Sequence, residues 1–346
     1  MRIQFPGLFD LQVNGFGGVD FNAPDLTADR VSSALEAMRA VGVTRSLPTL
    51  ITSSFEDFAA SARVIARMAD EAIAGIHMEG PYISPDDGPR GAHPRTHVIL
   101  ASADDFDRRQ DAAAGRILLV TLAPEVSGAI PLIERLVSDG VRVAIGHTAA
   151  SPEQIADAIA AGATLSTHLG NGCASVLPRH PNVIWEQLAA DALVASLIVD
   201  GHHLPPATVK TMVRAKGADR TILVTDATAA AGSAPGRYRI GAVECELGAD
   251  GRVSLPGTPF LAGSSLTLDR AIANTVRFTG LPIEAVIPMA SVIPARYLGT
   301  TTSGTVSADW DADKFELQIL GVRRGSDQGE TGVNPPFERV DGKAEI

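Results

Sequence analysis

The feature that most narrows the possible folds is an alternation repeated eight times: a short apolar run, then a longer stretch before the next run. The apolar runs read as strands at Leu8–Val13, Thr44–Ile51, Gly75–Glu79, Arg116–Leu122, Val141–Ile145, Ala163–Leu169, Val194–Asp200 and Thr221–Asp226. Several intervening stretches carry helical spacing. After Thr27, the residues Val31, Leu35, Met38 and Val41 fall on one face, with Gly42 just beyond. Leu132, Ile133, Leu136 and Val137 mark the helix after the fourth run. Ser54 with Asp57, and Ser151-Pro152-Glu153-Gln154, have the form of N-terminal capping boxes, the second with proline at the first helical position. The strands are apolar enough to be covered on both faces, as parallel strands are. This pattern predicts an α/β protein, a TIM (β/α)8 barrel. A doubly wound open sheet is the alternative, but no glycine-rich phosphate fingerprint follows the first strand.

The rhythm breaks at residues 233–262, where Gly and Pro turns surround short runs such as Ala242–Leu247. This is read as a β-hairpin excursion before a last helix that begins near Ser264. The barrel is thereby expected over residues 1–302. Residues 303–346 are expected to hold residual strands, including Phe315–Val322, and a polar, Gly-rich mobile tail from Arg323 to Ile346.

Charge limits the partners. A formal net charge of −11 disfavours nucleic acid and anionic membrane, and it means that an anionic substrate needs a local basic pocket. No apolar run approaches the ~20 residues of a membrane helix. Pro6 and Gly7 interrupt the N-terminal apolar run before it reaches signal-peptide length. Two cysteines, Cys173 and Cys245, cannot staple a chain of 346 residues. A cytoplasmic protein is expected.

Catalytic groups of such barrels project from the C-terminal ends of the strands. Glu79, His147, His168 and Asp226 close or follow strands three, five, six and eight, and His203 follows strand seven. Taken singly, each has a bland reading: a hydrogen-bonded structural histidine, or a carboxylate capping a turn. Their convergence on one end of one barrel changes the balance. One carboxylate and two imidazoles leave an open coordination position, as at a catalytic zinc that holds water. Such a metal lowers the water's pKa to roughly 7. An aspartate on a neighbouring strand can then carry a proton from that water to a leaving nitrogen. Together these parts describe amide hydrolysis. Gln12 and Asn14 share one side of the first strand by its period of two. Amides are poor ligands beside imidazole and carboxylate, so one divalent metal per chain is expected, not two. Zinc suits the donor set, with iron or cobalt as alternatives.

At these residues the chain resembles the amidohydrolase superfamily, and within it the N-acetylglucosamine-6-phosphate deacetylases. The matching segments include PGLFDLQVNGFGG at Pro6–Gly18, GIHMEGPY at Gly75–Tyr82, GAHP at Gly91–Pro94, GHT at Gly146–Thr148, THLGNG at Thr167–Gly172, DGHHL at Asp200–Leu204, VTDATAAAG at Val224–Gly232 and LAGSSLT at Leu261–Thr267. They run in family order through the whole barrel. The resemblance implies that Glu79, His147 and His168 hold the metal, that Asp226 is general base and acid, and that His93 polarises the acetyl carbonyl. It implies that Asn171, Gly172, Arg179 and His203 line an amino-sugar phosphate site, with Arg179 reaching in from the other subunit of a homodimer. Main-chain groups around Leu261, Ala262 and Gly263 complete the pocket. Gln12 and Asn14 then mark a vestigial second-metal position. The chain departs from the family in three places. The β-structure that usually precedes the first strand is almost absent, so a metal-dependent-hydrolase barrel with its small β-sandwich domain largely missing is expected. The strands that complete that domain look degenerate around Thr305–Val322. The loop Gly170–Trp185 departs from the usual Asn-Ala-Met continuation at Gly172 and Cys173.

Two other readings compete: an amidohydrolase acting on another N-acyl or cyclic amide without phosphate, and a non-catalytic ligand-binding barrel. Arg179 discriminates between phosphorylated and unphosphorylated substrates. His180 and His202 take no role in this scheme, and His202 is expected to point away from the site into a neighbouring loop. His77 shares a strand face with Glu79 and is read as a supporting residue behind it.

Overall fold

The structure is a computed structural model that describes residues 1–325 and 337–340. Eight parallel strands form its centre: β1 (Leu8–Val13), β2 (Val43–Ile51), β3 (Ile76–Glu79), β4 (Ile117–Leu122), β5 (Arg142–Ile145), β6 (Leu165–Ser166), β7 (Val194–Leu197) and β8 (Thr221–Leu223). They are hydrogen-bonded in chain order from β1 round to β8. Closure is made just past the last strand. Asp226 donates its N–H to the Gln12 carbonyl at 2.9 Å, and Asn14 donates to the Ala227 carbonyl at 2.7 Å. A helix follows each strand: α1 (Ala28–Ala40), α2 (Phe55–Arg67), α3 (Ala103–Ala112), α4 (Ala129–Ser138), α5 (Pro152–Ala160), α6 (Val183–Ala189), α7 (Pro206–Lys216) and α8 (Leu268–Thr279).

Of the two capping boxes read from the sequence, the one at Ser151 forms in full, whereas at Ser54 the Asp57 carboxylate accepts from the Ser54 hydroxyl and not from its backbone N–H. Thr27 and Ser54 accept from the N–H groups of Arg30 and Asp57, and Ser151 with Gln154 forms a reciprocal capping box. Val31, Leu35 and Met38 are buried against the barrel, whereas Val137, placed on the inner face of α4 from spacing, is 40% exposed. Among the described residues no helix is long and apolar enough to cross a membrane.

Several boundaries differ from the sequence reading. The sixth strand is only Leu165–Ser166, because His168 takes φ +30° and leaves the extended conformation. The eighth ends at Leu223, and Asp226 beyond it has φ +49°. The last helix starts at Leu268, after an N-cap at Thr267. Ser264, read as the start of that helix, instead donates its N–H to the Asp226 carbonyl at 2.9 Å and so buttresses the catalytic end. The excursion is a three-stranded antiparallel sheet of Gly236–Ile240, Val243–Leu247 and Val253–Ser254.

What stands in place of the small β-sandwich is a four-stranded antiparallel sheet: Glu316–Arg323, Thr305–Asp311, Arg2–Pro6 and Glu338–Arg339. Arg2–Pro6 escaped the sequence reading, which looked for a strand only from Leu8. Ile3 and Phe5 are fully buried within this strand, so its alternation was present but short. Glu338–Arg339 pairs with it, which corrects the reading of everything after Arg323 as a free tail. The remainder of that stretch, 326–336 and 341–346, lies outside the described residues.

Candidate active site

Glu79, His147 and His168 meet at the C-terminal mouth of the barrel, all three buried. Glu79 Oε1 lies 3.2 Å from His147 Nε2 and 3.1 Å from His168 Nε2, and the two imidazole nitrogens are 3.1 Å apart. Ligands about 2.0 Å from a tetrahedral ion are separated by roughly 3.3 Å, so this triangle has the dimensions of one face of such a site. The tautomer agrees. His147 Nδ1 lies 2.9 Å from the Pro89 carbonyl, to which it can only donate, and its Nε2 is left with a lone pair facing the other two donors. Burial pushes the Glu79 carboxyl up, but hydrogen bonds from His147 and His168 in their protonated forms, with the charge of His147, outweigh it and hold Glu79 well below its usual range.

The backbone is held in unusual conformations here. Of the five non-glycine residues with positive φ among those described, three are His147 (+50°), His168 (+30°) and Asp226 (+49°). Such angles cost on the order of 1–3 kcal/mol each and cluster at functional sites. They turn each side chain off its strand and over the barrel mouth. Gly172, at φ +57°, closes over the imidazoles: a Cβ there would lie 3.0 Å from His147 Nδ1.

Asp226 faces this triangle across the first strand. Gln12 Nε2 donates to Glu79 Oε1 at 2.8 Å and to Asp226 Oδ1 at 3.2 Å, and Asn14 Nδ2 donates to the same Asp226 oxygen at 2.7 Å. The two amides therefore spend their N–H groups on the two buried carboxylates. Burial first, and the Glu79 charge second, push the Asp226 carboxyl up to about 6, with the Asn14 hydrogen bond opposing them. Asn14 Oδ1 is buried without a protein partner among the described residues, and Asn14 lines the cavity.

His93 packs against His147 with ring centroids 4.3 Å apart, and its Nε2 is 3.9 Å from Glu79 Oε2. The Thr52 N–H points at His93 Nδ1 at 3.4 Å, with the Thr52 hydroxyl at 2.8 Å. Nδ1 therefore accepts, which puts the proton on Nε2. Burial, with His147 adding to it, pushes His93 down to about 3, so the ring is neutral and serves as a hydrogen-bond donor.

These groups open into a cavity of about 390 Å³, within the usual range for small-molecule sites. Asn171, Gly172, His203, Leu261 and Gly263 line it, whereas Ala262 turns its side chain into a small core behind the wall with Ile240, Cys245 and Leu247. His203 Nδ1 is 2.6 Å from Asp200 Oδ2. Arg179 is exposed on the loop after β6 and does not line the cavity of its own chain. His202, expected to point away, lines the cavity, with its Nε2 3.3 Å from the Asp250 carbonyl. No hydrogen bond joins His77 to Glu79 among the described residues; its Nε2 is 2.7 Å from Thr121 Oγ1. The sequence reading missed Thr52, Asp200 and Arg252. Asp200, in the quoted DGHHL segment beside His203, was the one with a visible signal.

Comparison with known proteins agrees with this geometry. The profile of the amidohydrolase family matches residues 3–341. The chain belongs to the amidohydrolase family. It is a metal-dependent hydrolase of carbon–nitrogen amide bonds. It is 32% identical over 321 residues to the N-acetylglucosamine-6-phosphate deacetylase of Lysinibacillus sphaericus, covering 90% of this chain and 80% of that one. It is 33% identical over 332 residues to the N-acetylgalactosamine-6-phosphate deacetylase of Shewanella sp. (strain ANA-3), covering 91% and 80%. Among solved structures it is similar to a mutant N-acetyl-D-glucosamine-6-phosphate deacetylase from Mycobacterium smegmatis in complex with N-acetyl-D-glucosamine-6-phosphate. The TM-score there is 0.85 at 32% identity, covering 93% of this chain and 85% of that one.

Proposed function

We propose that this protein hydrolyses the N-acetyl amide of N-acetylglucosamine 6-phosphate, releasing acetate and glucosamine 6-phosphate. The observation that carries the reading is the triangle of Glu79, His147 and His168 with Asp226 held beside it by Gln12 and Asn14. The donor set fits one divalent cation per chain, and zinc suits two imidazoles and a carboxylate, as iron or cobalt also would. When bound, such an ion supplies an activated water and polarises the acyl carbonyl.

The protein's own groups do the rest. Asp226, as a carboxylate, takes a proton from the attacking water and delivers it to the departing amide nitrogen. His93, neutral and protonated on Nε2, donates a hydrogen bond to the acyl oxygen as charge builds on it. Asn14 Oδ1, unpartnered in the cavity wall, is an acceptor for the substrate's N–H. Asn171, Gly172, His203 and the Leu261–Gly263 segment bind the sugar. Arg179 can serve only if a second subunit presents it, which is the reason for expecting a homodimer. The acidic composition disfavours nucleic acid and anionic membrane as partners, and a cytoplasmic setting suits a small phosphorylated sugar.

A relative acting on the galacto epimer at similar identity makes N-acetylgalactosamine 6-phosphate the second substrate to try. The test is acetate release by metal-loaded protein from both 6-phosphates, from unphosphorylated N-acetylglucosamine and from a cyclic amide. Fastest turnover of an N-acetylamino-sugar 6-phosphate is expected. Turnover of the cyclic amide alone would overturn the reading.

A further inference from the structure

Asp226 sits at φ +49°, a backbone conformation that persists only where the surroundings hold it. The chain on either side of it is clamped. Thr225 Oγ1 accepts the Ala227 N–H at 3.1 Å, a bond that spans Asp226, and the Ser264 N–H donates to the Asp226 carbonyl at 2.9 Å. The remaining partner of this turn is Asp10, in the middle of β1. Asp10 Oδ1 accepts from the Thr225 N–H at 3.3 Å and from the Gln12 N–H at 3.2 Å, and its Oδ2 accepts from the Thr225 hydroxyl. We propose that Asp10 is a positioning residue for the reaction: it holds the Thr225–Ala227 turn, and with it the Asp226 carboxyl, facing the triangle of Glu79, His147 and His168. The proposal rests on the reading above of Asp226 as the group that carries the proton.

Three observations support it. The first is burial without compensation. Asp10 is 1% exposed, does not line the catalytic cavity and takes part in no ion pair among the described residues. Burial pushes its carboxyl up, with the hydrogen bonds from Thr225 and Gln12 opposing. An acid kept in such a place costs stability, and an apolar residue would fill the barrel wall without that cost. The second is the direction of the hydrogen bonds. Because Asp10 Oδ2 takes the Thr225 hydroxyl hydrogen, Thr225 Oγ1 keeps its lone pairs for the Ala227 N–H. The other acceptor within reach, the Gln12 carbonyl, is 3.3 Å away and already accepts the Asp226 N–H at 2.9 Å. The third is register. Asp10, Gln12 and Asn14 share one side of the first strand by its period of two, and all three serve one residue. Gln12 and Asn14 donate to Asp226 Oδ1, while Asp10 joins the Gln12 and Thr225 N–H groups through a single oxygen. That oxygen fixes the level of Gln12 against Asp226.

The test uses full chains of wild type, Asp10→Leu, Asp10→Asn and Thr225→Val, each with Asp226 intact and in the Asp226→Asn background. Asp10→Leu nearly keeps the shape of the side chain and removes every acceptor, whereas Asp10→Asn keeps one oxygen for the two N–H groups. With metal loaded and N-acetylglucosamine 6-phosphate as substrate, Asp10→Leu should lower kcat roughly 10- to 100-fold, with KM within about threefold of wild type, as for a misplaced reacting group. Metal content should stay normal, and Asp10→Asn should recover most of the loss. In the Asp226→Asn background Asp10→Leu should cost nothing further, a non-additivity that a merely structural role would not produce. The readout independent of turnover is the crystal structure of the metal-free proteins. Asp226 should leave its positive φ in Asp10→Leu and keep it in Asp10→Asn. A kcat within about threefold of wild type, losses that multiply in the Asp226→Asn background, or an Asp226 φ unmoved by Asp10→Leu overturns the assignment. Should Asp10→Leu fail to fold, Thr225→Val, which removes the hydroxyl between Asp10 and the Ala227 N–H, is held to the same three criteria. If wild type cleaves no N-acetylamino-sugar 6-phosphate, the substrate reading fails separately, and the φ of Asp226 alone decides the role of Asp10.

Discussion

Replacing Gln12 by leucine tests how the two buried carboxylates are kept apart in role. Leucine nearly conserves volume, and Gln12 is only 2% exposed, so the change removes the amide with little cavity or solvent penalty. It deletes one N–H donor to Glu79 at 2.8 Å and one to Asp226 at 3.2 Å. A hydrogen bond to a charged group is worth about 1.5–3 kcal/mol, and the longer bond to Asp226 belongs at the low end. About 1.4 kcal/mol corresponds to one pKa unit. The lost donor stabilised the charged form, so the Asp226 pKa must rise, by about one unit. Burial and the Glu79 charge have already pushed it up to about 6. In the proposed mechanism the carboxylate is the working base, so activity is lost as pH falls through this pKa, and a rise moves the acid limb to higher pH. A divalent cation in the site lowers the starting value in both proteins but leaves the difference. The assay is kcat against pH for wild type and Gln12→Leu at saturating metal, with metal content measured. The acid limb should move up by about one pH unit while the high-pH plateau falls much less. An unmoved limb in a protein of normal metal content would refute the argument that Gln12 holds Asp226 ionised.

Two further outcomes follow from the same site. Asp226→Asn should lower kcat by at least the ~10²-fold typical of a general acid–base residue while metal content stays normal, and near-wild-type turnover would remove Asp226 from the mechanism. Purified protein should carry close to one equivalent of divalent metal per chain by elemental analysis, with activity lost on chelation and restored by one equivalent; a requirement for two would overturn the reading of Gln12 and Asn14.

The barrel was legible because its determinants are local. Strand β1 appears with the bounds read from its apolar run, and the Thr27, Ser54 and Ser151 caps start their helices where the side chains allow. Strand ends were less legible. Positive φ at His168 and Asp226 shortens β6 and β8, and nothing in an apolar run announces a turn imposed by tertiary packing on a functional residue. Ser264 illustrates the same limit: it looks like a helix start, but the Asp226 carbonyl claims its N–H. The residues at the metal triangle could be found because each ends or follows a strand, and barrel topology gathers such positions without further information. Arg252 could not be found this way. It lies on an insertion whose path depends on the small core of Ile240, Cys245, Leu247 and Val253, and only that packing brings the arginine to the cavity wall.

The first strand supplies a physical argument for the proposal of one cation per chain. Glu79 and Asp226 bring two negative charges into a nearly dry space, where an unpaired charge is costly. His93 is neutral, and the Pro89 carbonyl fixes the His147 tautomer, so the nearby rings need add no positive charge when their lone pairs face a metal. One divalent ion balances the two carboxylates. A second would leave the centre strongly positive and would draw Asp226 in as a ligand, which lowers its basicity. Amide N–H groups at Gln12 and Asn14 meet the carboxylates by hydrogen bonding without adding a full charge. They stabilise Asp226 enough to ionise near neutral pH while leaving it basic enough to accept a proton. Histidines at these two positions would offer lone pairs where the structure has donors, so Gln and Asn on one face of β1 favour the proposed single cation and tune the carboxyl proposed as the base.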